Sequence, residues 1–356
     1  MNSIKKIISE NTYSLSEKEK QIVFKKTMNV LIKHHYNNSE HYKKIIDSLY
    51  FKKYIFNKLQ DIPFLPVRMF KNFEMLSIKK NEIFKILLSS GTSGNNLSKI
   101  YLDKINATNQ LKVLQKIMNS ALETKERLPM LIIDQNMSGL NRNMFNARVA
   151  AINGFSMFGK DHTFLLDQNE EINYEKLNLF LDKNYKKKFI IFGFTSFIYQ
   201  NFLKKISESR VNNFNFKNAI VLHGGGWKKL DYLKISKKKF YDELNNKFSF
   251  NRIINYYGLV EQTGSIFTEC KCGYYITSNF SDILIRDKNL KIANSGEIGF
   301  LQLVSLLPTS YPGHSIITED LAKIVDKHNC KCEKNGKRFL LYGRVPSAEI
   351  RGCSDI

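Results

Sequence analysis

The chain has 356 residues, of which 43% are apolar and 12% aromatic, a composition that excludes a disordered protein. The formal net charge is +22, but the lysines are spread along the chain among Asn and Ile, so we interpret the charge as a compositional bias and expect no nucleic-acid partner. With no apolar run of ~18 residues and an amino terminus too polar for a signal peptide, we expect a cytoplasmic protein with reduced thiols and no transmembrane segment.

The first 80 residues are predicted to be helical. Apolar residues recur at helical spacing between residues 14 and 36, and Ser16 with Glu19 fits a capping box. Pro63 and Pro66 then break the pattern and predict an extended connector.

From residue 83 onward, short apolar runs alternate with amphipathic segments. Strands are predicted at 83–88, 130–133, 189–194, 219–222 and 252–256. Helices are predicted at 107–122 and 174–181. This alternation favours a largely parallel α/β sheet, and after about residue 265 short strands and turns replace the helices. The predicted organisation is a helical segment over 1–80, an α/β core over 81–265, a β-rich subdomain over 266–343 and a tail over 344–356.

Glycine-containing turns follow three of the predicted strands, with the sequences SSGTSG, HGGGW and YYGLVEQTG. Ligands of α/β sheets bind at the carboxyl ends of the strands, so we expect the three turns to converge on one crevice. The first loop can wrap phosphate oxygens, because its glycines let N–H groups converge and its hydroxyls add donors. It lacks the spacings of the two familiar nucleotide loops, and an ordinary surface loop is the alternative.

Four of the five cysteines form two Cys-Lys-Cys pairs, Cys270 with Cys272 and Cys330 with Cys332. Four thiolates from two turns have the ligand set of a closed tetrahedral site, so we predict a structural Zn²⁺ there. The commoner zinc knuckle is Cys-x-x-Cys, and four free thiols are the alternative. The remaining cysteine is Cys353.

Five motifs occur in the order found in adenylate-forming enzymes: SSGTSG, HGGGW, YYGLVEQTG, YPGHSIITED and GRVPSAEIRGCSD. Together they resemble most specifically the LuxE-type acyl-protein synthetases, the ATP-dependent fatty-acid-activating subunits of bacterial fatty acid reductase complexes. The resemblance extends from the IPFLPVRMFKNF segment to the last residues. It implies the α/β large-domain fold of adenylate-forming enzymes, with a helical N-terminal segment and a β-rich C-terminal subdomain.

The same resemblance implies roles for individual residues. It implies an ATP phosphate loop formed by Ser89, Ser90, Gly91, Thr92, Ser93 and Gly94. It implies an adenine-binding turn formed by Gly224, Gly225 and Gly226. In the YG-x-x-E element, Tyr257 would line the acyl and nucleotide pocket, Gly258 would belong to the same cofactor-binding element, and Glu261 would help to hold a catalytic Mg²⁺. Asp320 would accept the ribose hydroxyls, and Arg344 would meet ribose and phosphate during catalysis.

Cys353 stands where LuxE-type enzymes have the cysteine that accepts the acyl group and delivers it to an acyl reductase partner. A thiolate suits this role because it is nucleophilic near neutral pH and its thioester stays activated. The resemblance therefore implies a catalytic Cys353, a fatty acid substrate and a reductase protein as partner. An idle thiol is the alternative.

Two departures from the superfamily pattern affect the expected mechanism. Most members continue after the GR element with a mobile lid domain that carries a catalytic Lys, whereas this sequence ends at Ile356, so we expect the lid to be absent. The phosphate loop also lacks the Pro-Lys that often closes it. The alternative function is an acid–CoA ligase of the phenylacetate type, which releases a free thioester. A nucleic-acid-binding protein is the alternative from another class.

Overall fold

The computed structural model describes residues 2–50, 55–89, 97–136, 147–208, 214–226, 235–326, 328 and 330–345. The chain forms two compact units. The first unit holds the described residues up to 121 and from 257 onward, and the second holds those from 122 to 256. Within the described ranges, every helix falls short of the length and apolar character that crossing a bilayer requires. The four-segment division of the sequence stays a prediction.

The first unit begins with helices, as the sequence predicts. They are α1 (Asn2–Ser9), α2 (Glu17–Asn38), α3 (Glu40–Leu49), α4 (Met69–Asn72) and α5 (Lys104–Leu122), with 3₁₀ turns at Leu59–Asp61 and Lys80–Glu82. The predicted capping box is confirmed, because the Ser16 hydroxyl accepts from the Glu19 N–H and the Glu19 carboxylate accepts from the Ser16 N–H. Residues at helical spacing on α2, including Phe24, Met28 and Leu31, are buried in the core.

Three short strands lie in the same part of the first unit: β1 (Leu65–Pro66), β2 (Lys85–Leu88) and β3 (Lys99–Leu102). The predicted strand at 83–88 is therefore present as β2, but the prediction that it belongs to the parallel sheet is wrong. Among the strands that the structure describes, β2 pairs only with β3, in an antiparallel hairpin that forms a separate two-stranded sheet. The next apolar run along the chain is close enough to close a hairpin, so the serine-glycine loop joins these two strands.

The second unit contains the parallel sheet that the sequence predicts. Its strands are β4 (Leu128–Gln135), β5 (Gly159–Leu166), β6 (Phe189–Phe194), β7 (Ala219–Gly224) and β8 (Arg252–Tyr257), in the order β5-β4-β6-β7-β8 and all parallel. Its helices are α6 (Ala147–Ser156), α7 (Tyr174–Asn184), α8 (Thr195–Phe197), a π-helix (Ile198–Lys204), α9 (Lys205–Glu208) and α10 (Lys237–Phe248). The inner strands are continuous apolar runs, as strands of buried parallel sheets are.

The first unit resumes at residue 257, and after residue 265 the described residues form strands and no α-helix, which confirms the predicted change to β structure. They are β9 (Phe267–Glu269), β10 (Tyr275–Ile276), β11 (Ser281–Arg286), β12 (Gly299–Ser305), β13 (Ser315–Val325) and β14 (Arg338–Arg344). Their antiparallel order is β11-β12-β13-β14-β10-β9, and β1 pairs in parallel with β13. The 3₁₀ turn Val260–Gln262 precedes them.

A buried ion pair joins α2 to these strands. The Lys20 ammonium donates to the Thr277 hydroxyl at 2.9 Å and lies 3.9 Å from the Asp282 carboxylate, which Lys337 also approaches at 3.1 Å. Burial lowers the pKa of Lys20 to about 8. Removing Asp282 would leave the buried Lys20 ammonium without this carboxylate, so the ion pair ties α2 to the β strands.

Two imidazoles are stacked inside the first unit. The rings of His35 and His314 lie parallel, with centroids 4.9 Å apart. The Ser77 hydroxyl lies 2.8 Å from one His35 nitrogen, and the Tyr42 hydroxyl lies 3.2 Å from one His314 nitrogen. Burial lowers the pKa of His35 well below its usual value and that of His314 to about 3. Both rings are therefore neutral at pH 7.

We predict that acid destabilises the protein through these two histidines. The unfolded chain binds their protons below pH ~6.5 whereas the folded chain does not, so the free energy of unfolding falls as pH drops from ~6.5 towards about 3. Each histidine contributes a slope of about 1.4 kcal/mol per pH unit. Denaturant unfolding at pH 7.5 and pH 5.5 measures the slope. His314→Gln should reduce it, while the exposed control His328→Gln should not. Equal slopes for wild type and His314→Gln would contradict the assignment.

Candidate functional site

The Asp320 carboxylate accepts hydrogen bonds from two predicted site residues. The Tyr257 hydroxyl donates to its Oδ2 at 2.6 Å, and the Arg344 guanidinium donates through Nε to its Oδ1 at 2.9 Å. Asp320 lies on β13 opposite Arg344, the last residue of β14, so strand register brings the two side chains together. The structure thus brings together the two residues that the resemblance implies for ribose and phosphate, Asp320 and Arg344, and the predicted pocket residue Tyr257.

Burial fixes the protonation of the tyrosine in this cluster. The Tyr257 side chain is half-buried, and its burial together with the Asp320 carboxylate holds its pKa well above the usual range. The phenol therefore remains a donor at neutral pH. Each bond uses one lone pair of a carboxylate that has about four acceptor positions, so Asp320 keeps acceptor capacity for two further hydroxyl groups. Its own backbone N–H donates to the Thr318 hydroxyl at 3.1 Å, which fixes the strand at this point.

Glu261 lies in the 3₁₀ turn Val260–Gln262 and is only 2% exposed. Gly313 packs closely against this turn, since a Cβ built there would lie 2.7 Å from the Glu261 carbonyl oxygen. Gln262 donates its amide to the Gly313 carbonyl at 2.8 Å. The YG-x-x-E element and the YPGH element therefore pack on each other inside the first unit.

The glycine turn Gly224–Gly226 follows β7 in the second unit. A Cβ on Gly224 would lie 2.6 Å from the Tyr256 ring, and one on Gly225 would lie 2.8 Å from the Phe194 ring. Gly225 and Gly226 also have φ angles of +87° and +74°, which favour glycine. The protein itself therefore requires small residues in this turn, whereas the contact with adenine stays a prediction.

Thr195 holds this turn and was missed in the sequence. Its hydroxyl donates to the Gly224 carbonyl at 3.0 Å and lies 2.9 Å from a His223 nitrogen. The Tyr241 hydroxyl lies 3.2 Å from the other nitrogen, and burial lowers the pKa of His223 to about 3. His223 is therefore a neutral, doubly hydrogen-bonded residue. Ligands of α/β sheets bind at the carboxyl ends of the strands, and Thr195 directly follows β6. Its position at a strand end is the signal that could have identified it.

The remaining predicted residues of the nucleotide site are only partly described. Ser89 ends the β2 side of the hairpin, where its N–H donates to the Ser98 carbonyl at 3.0 Å and its hydroxyl accepts from the Ser98 N–H at 2.9 Å. Gly258 packs against Ile266. Ser90, Gly91, Thr92, Ser93, Gly94 and Cys353 lie outside the described residues. Their predicted roles stay predictions.

Three of the four predicted metal-binding cysteines lie together. The sulfur atoms of Cys270, Cys330 and Cys332 are all within 4.8 Å of one another, whereas Cys272 is exposed and outside this group. The turn after β9 carries Cys270 and the segment before β14 carries the other two, and β10 pairs with both strands. We call these three residues the thiol cluster.

Ionisation differs within the thiol cluster. Burial raises the pKa of the Cys270 thiol to about 12. Burial also opposes ionisation of Cys330, but hydrogen bonds with Cys332 and Arg338 outweigh it and lower its pKa to about 6. The cluster therefore combines the neutral Cys270 thiol with the Cys330 thiol, which ionises readily beside the Arg338 guanidinium.

Comparison with known proteins identifies a family and a fold. The family model "Acyl-protein synthetase, LuxE" matches residues 2–356. A Vibrio harveyi protein named "Long-chain-fatty-acid--luciferin-component ligase" is 23% identical over 331 residues, which cover 90% of this chain and 83% of that protein.

Among solved structures, a 2-hydroxyisobutyryl-CoA ligase in an open conformation with 2-HIB-AMP and CoA superposes with a TM-score of 0.70 at 13% identity, covering 96% of this chain and 78% of that chain. The same ligase with these ligands in the thioesterification state gives 0.69 at 12% identity, covering 93% and 69%. These likenesses show that the fold is that of adenylate-forming ligases. The family match over residues 2–356 is the stronger finding: this chain belongs to the LuxE family of acyl-protein synthetases and is an ATP-dependent ligase.

Proposed function

We propose that this protein activates a fatty acid as its acyl adenylate and transfers the acyl group to its own Cys353 for delivery to an acyl reductase. The observation that carries the proposal is the Tyr257–Asp320–Arg344 cluster in a chain that matches the acyl-protein synthetase family. The Vibrio harveyi relative, whose printed name specifies a long-chain fatty acid, supports the substrate class.

The chemistry of adenylation explains the residues. Attack of a carboxylate on the α-phosphate of ATP joins two anions, so the site needs cationic and N–H donors more than it needs a general base. Arg344 supplies a permanent cation, and Asp320 positions it while accepting the ribose hydroxyls. Tyr257 stays protonated and orients Asp320. The glycine turn Gly224–Gly226 would offer backbone against the base, and the serine-glycine loop, residues 89–94, would donate to the phosphates.

Glu261 fits the requirement for Mg²⁺. A hard divalent cation prefers oxygen ligands, and a buried carboxylate beside the glycine of the YPGH element offers one. When bound, the ion would neutralise phosphate charge that Arg344 alone does not balance. Glu261 would hold the ion.

Acyl transfer needs a nucleophile that can attack the acyl carbonyl of the adenylate. The Cys353 thiolate would attack the acyl carbonyl of the adenylate, so that the carbon–sulfur bond forms, the bond to the phosphate oxygen breaks and AMP leaves. The thioester keeps the acyl group activated for reduction, whereas release to water would waste the ATP.

We predict that the two half-reactions separate at Cys353. Cys353→Ser should keep acid-dependent ATP–pyrophosphate exchange and lose the hydroxylamine-sensitive acyl adduct, because only the second step needs the thiol. Asp320→Ala should lose both, since the ribose anchor and the partner of Arg344 disappear together. Pyrophosphate exchange and intact-protein mass after incubation with ATP, Mg²⁺ and fatty acids of graded length measure the two steps.

The matched control is Asp326→Ala, an exposed carboxylate directly after β13, which should leave both steps unchanged. If Cys353→Ser is still acylated at another residue, the acceptor assignment is wrong. If wild type acylates only added CoA, the protein is an acid–CoA ligase.

We also propose a structural zinc site at Cys270, Cys272, Cys330 and Cys332. Support comes from the thiol cluster, which offers three convergent sulfur ligands from two turns. Cys272 is two residues from Cys270 on the exposed side and would complete the tetrahedron when the ion binds.

We predict about one equivalent of zinc in protein purified without chelator, because four thiolates close a structural site. Cys330→Ser should lose the metal and lower the melting temperature, and Cys272→Ser should have a smaller effect. Cys353→Ser is the control and should retain full zinc. Metal analysis showing less than about a tenth of an equivalent in wild type would exclude the site.

A further inference from the structure

Arg338 is a buried arginine whose ionisable neighbours are sulfur atoms. It is only 1% exposed. Its Nη2 donates to the Cys332 sulfur at 3.3 Å and to the Cys332 carbonyl at 3.1 Å, and its side chain also interacts with the Cys330 thiol. The same guanidinium donates to the carbonyls of Lys334 and Gly336. It therefore binds both the thiols and the backbone that carries them.

Two other cations of the first unit are paired with carboxylates. The buried Lys20 lies near Asp282, and the half-buried Arg344 is paired with Asp320. In the part of the chain that the structure describes, the ionisable groups that interact with Arg338 are the thiols of Cys330 and Cys332, and none is a carboxylate. A buried guanidinium without a counter-charge is costly, and carbonyl contacts offset only part of that cost. The thiols are therefore the available source of negative charge.

A buried metal–thiolate centre carries net negative charge and needs a positive counter-charge. Zn²⁺ with four thiolates carries two net negative charges, and with the three thiolates of the thiol cluster it carries one. Burying that charge also requires compensation, which N–H donors to sulfur provide. Lysines stand between the cysteines of both pairs, at Lys271 and Lys331, but their side chains are exposed. Arg338 is the buried cation at the sulfur atoms.

We propose that Arg338 is the positioning residue of the metal centre: its guanidinium balances the charge of the metal–thiolate group and its forked donors hold the 332–336 segment in the ligating conformation. The inference rests on the zinc site proposed above and adds an outer partner that neither the sequence motifs nor the family match assign. The arginine and the metal–thiolate group have opposite charges, so each compensates the other.

The test compares Arg338→Gln and Arg338→Lys with wild type. Zinc affinity is measured by competition with a chromogenic chelator, and the number of bound thiolates by the near-ultraviolet charge-transfer band of the Co²⁺-substituted protein. Arg338→Gln should bind zinc about 10- to 100-fold more weakly, the usual effect of removing an outer partner. Arg338→Lys keeps the charge but loses the fork, so its loss should be smaller.

Arg286→Gln is the matched control. Arg286 is also a buried arginine of the first unit, but it donates to Gln302 and to the carbonyls of Leu290 and Gln60. Its variant tests the loss of a buried guanidinium away from the sulfur atoms and should keep wild-type zinc affinity even if it is less stable.

Each outcome decides a separate point. Wild-type protein that binds neither Zn²⁺ nor Co²⁺ refutes the zinc site itself. Metal-binding wild type with unchanged affinity in Arg338→Gln refutes the role of Arg338 and leaves the zinc site intact. If Arg338→Gln does not fold, Arg338→Lys decides: a loss of threefold or more supports the role, and an unchanged affinity overturns it.

Discussion

The candidate site depends on one carboxylate placed between a phenol and a guanidinium. Asp320 can hold Tyr257 and Arg344 at the same time because antiparallel register sets Arg344 opposite it and burial keeps the phenol protonated. A carboxylate in this position is already oriented when a ligand arrives, so little ordering remains to be done on binding. The same register would place a ribose acceptor and a phosphate-binding cation on neighbouring strands.

Much of the parallel sheet was predictable from apolar runs alone. The strand at 189–194 coincides with β6, because six consecutive apolar or small residues are typical of a strand buried in a parallel sheet. The start of α2 was equally clear, since the capping box of Ser16 and Glu19 is a local signal. The family-specific motifs then indicated Asp320 and Arg344 as candidate site residues. These two residues are 24 positions apart, so no local sequence pattern predicts that they pair.

What the sequence could not predict arises from long-range contacts. β2 has the composition of a strand in a large sheet, but it pairs with β3, the next strand along the chain, in a hairpin. Cys272 has the same motif as Cys332, yet only Cys332 points into the thiol cluster, because the turn after Cys270 directs Cys272 outward. Arg338 precedes Phe339 in an ordinary strand pattern, and nothing in that pattern indicates that its partners are sulfur atoms.

β14 carries one arginine at the thiol cluster and another at the Asp320 carboxylate. Arg338 begins the strand beside the thiol cluster, and Arg344 ends it beside Asp320. The strand has a long ladder with β13 on one side but only two paired positions with β10 on the other. Local unfolding spreads along such a ladder as a unit, so opening at the sulfur end lowers the cost of exposing the ladder as far as Asp320. Amide exchange along β14, measured as far as Asp320, would thus report the state of the thiols at the other end of the strand.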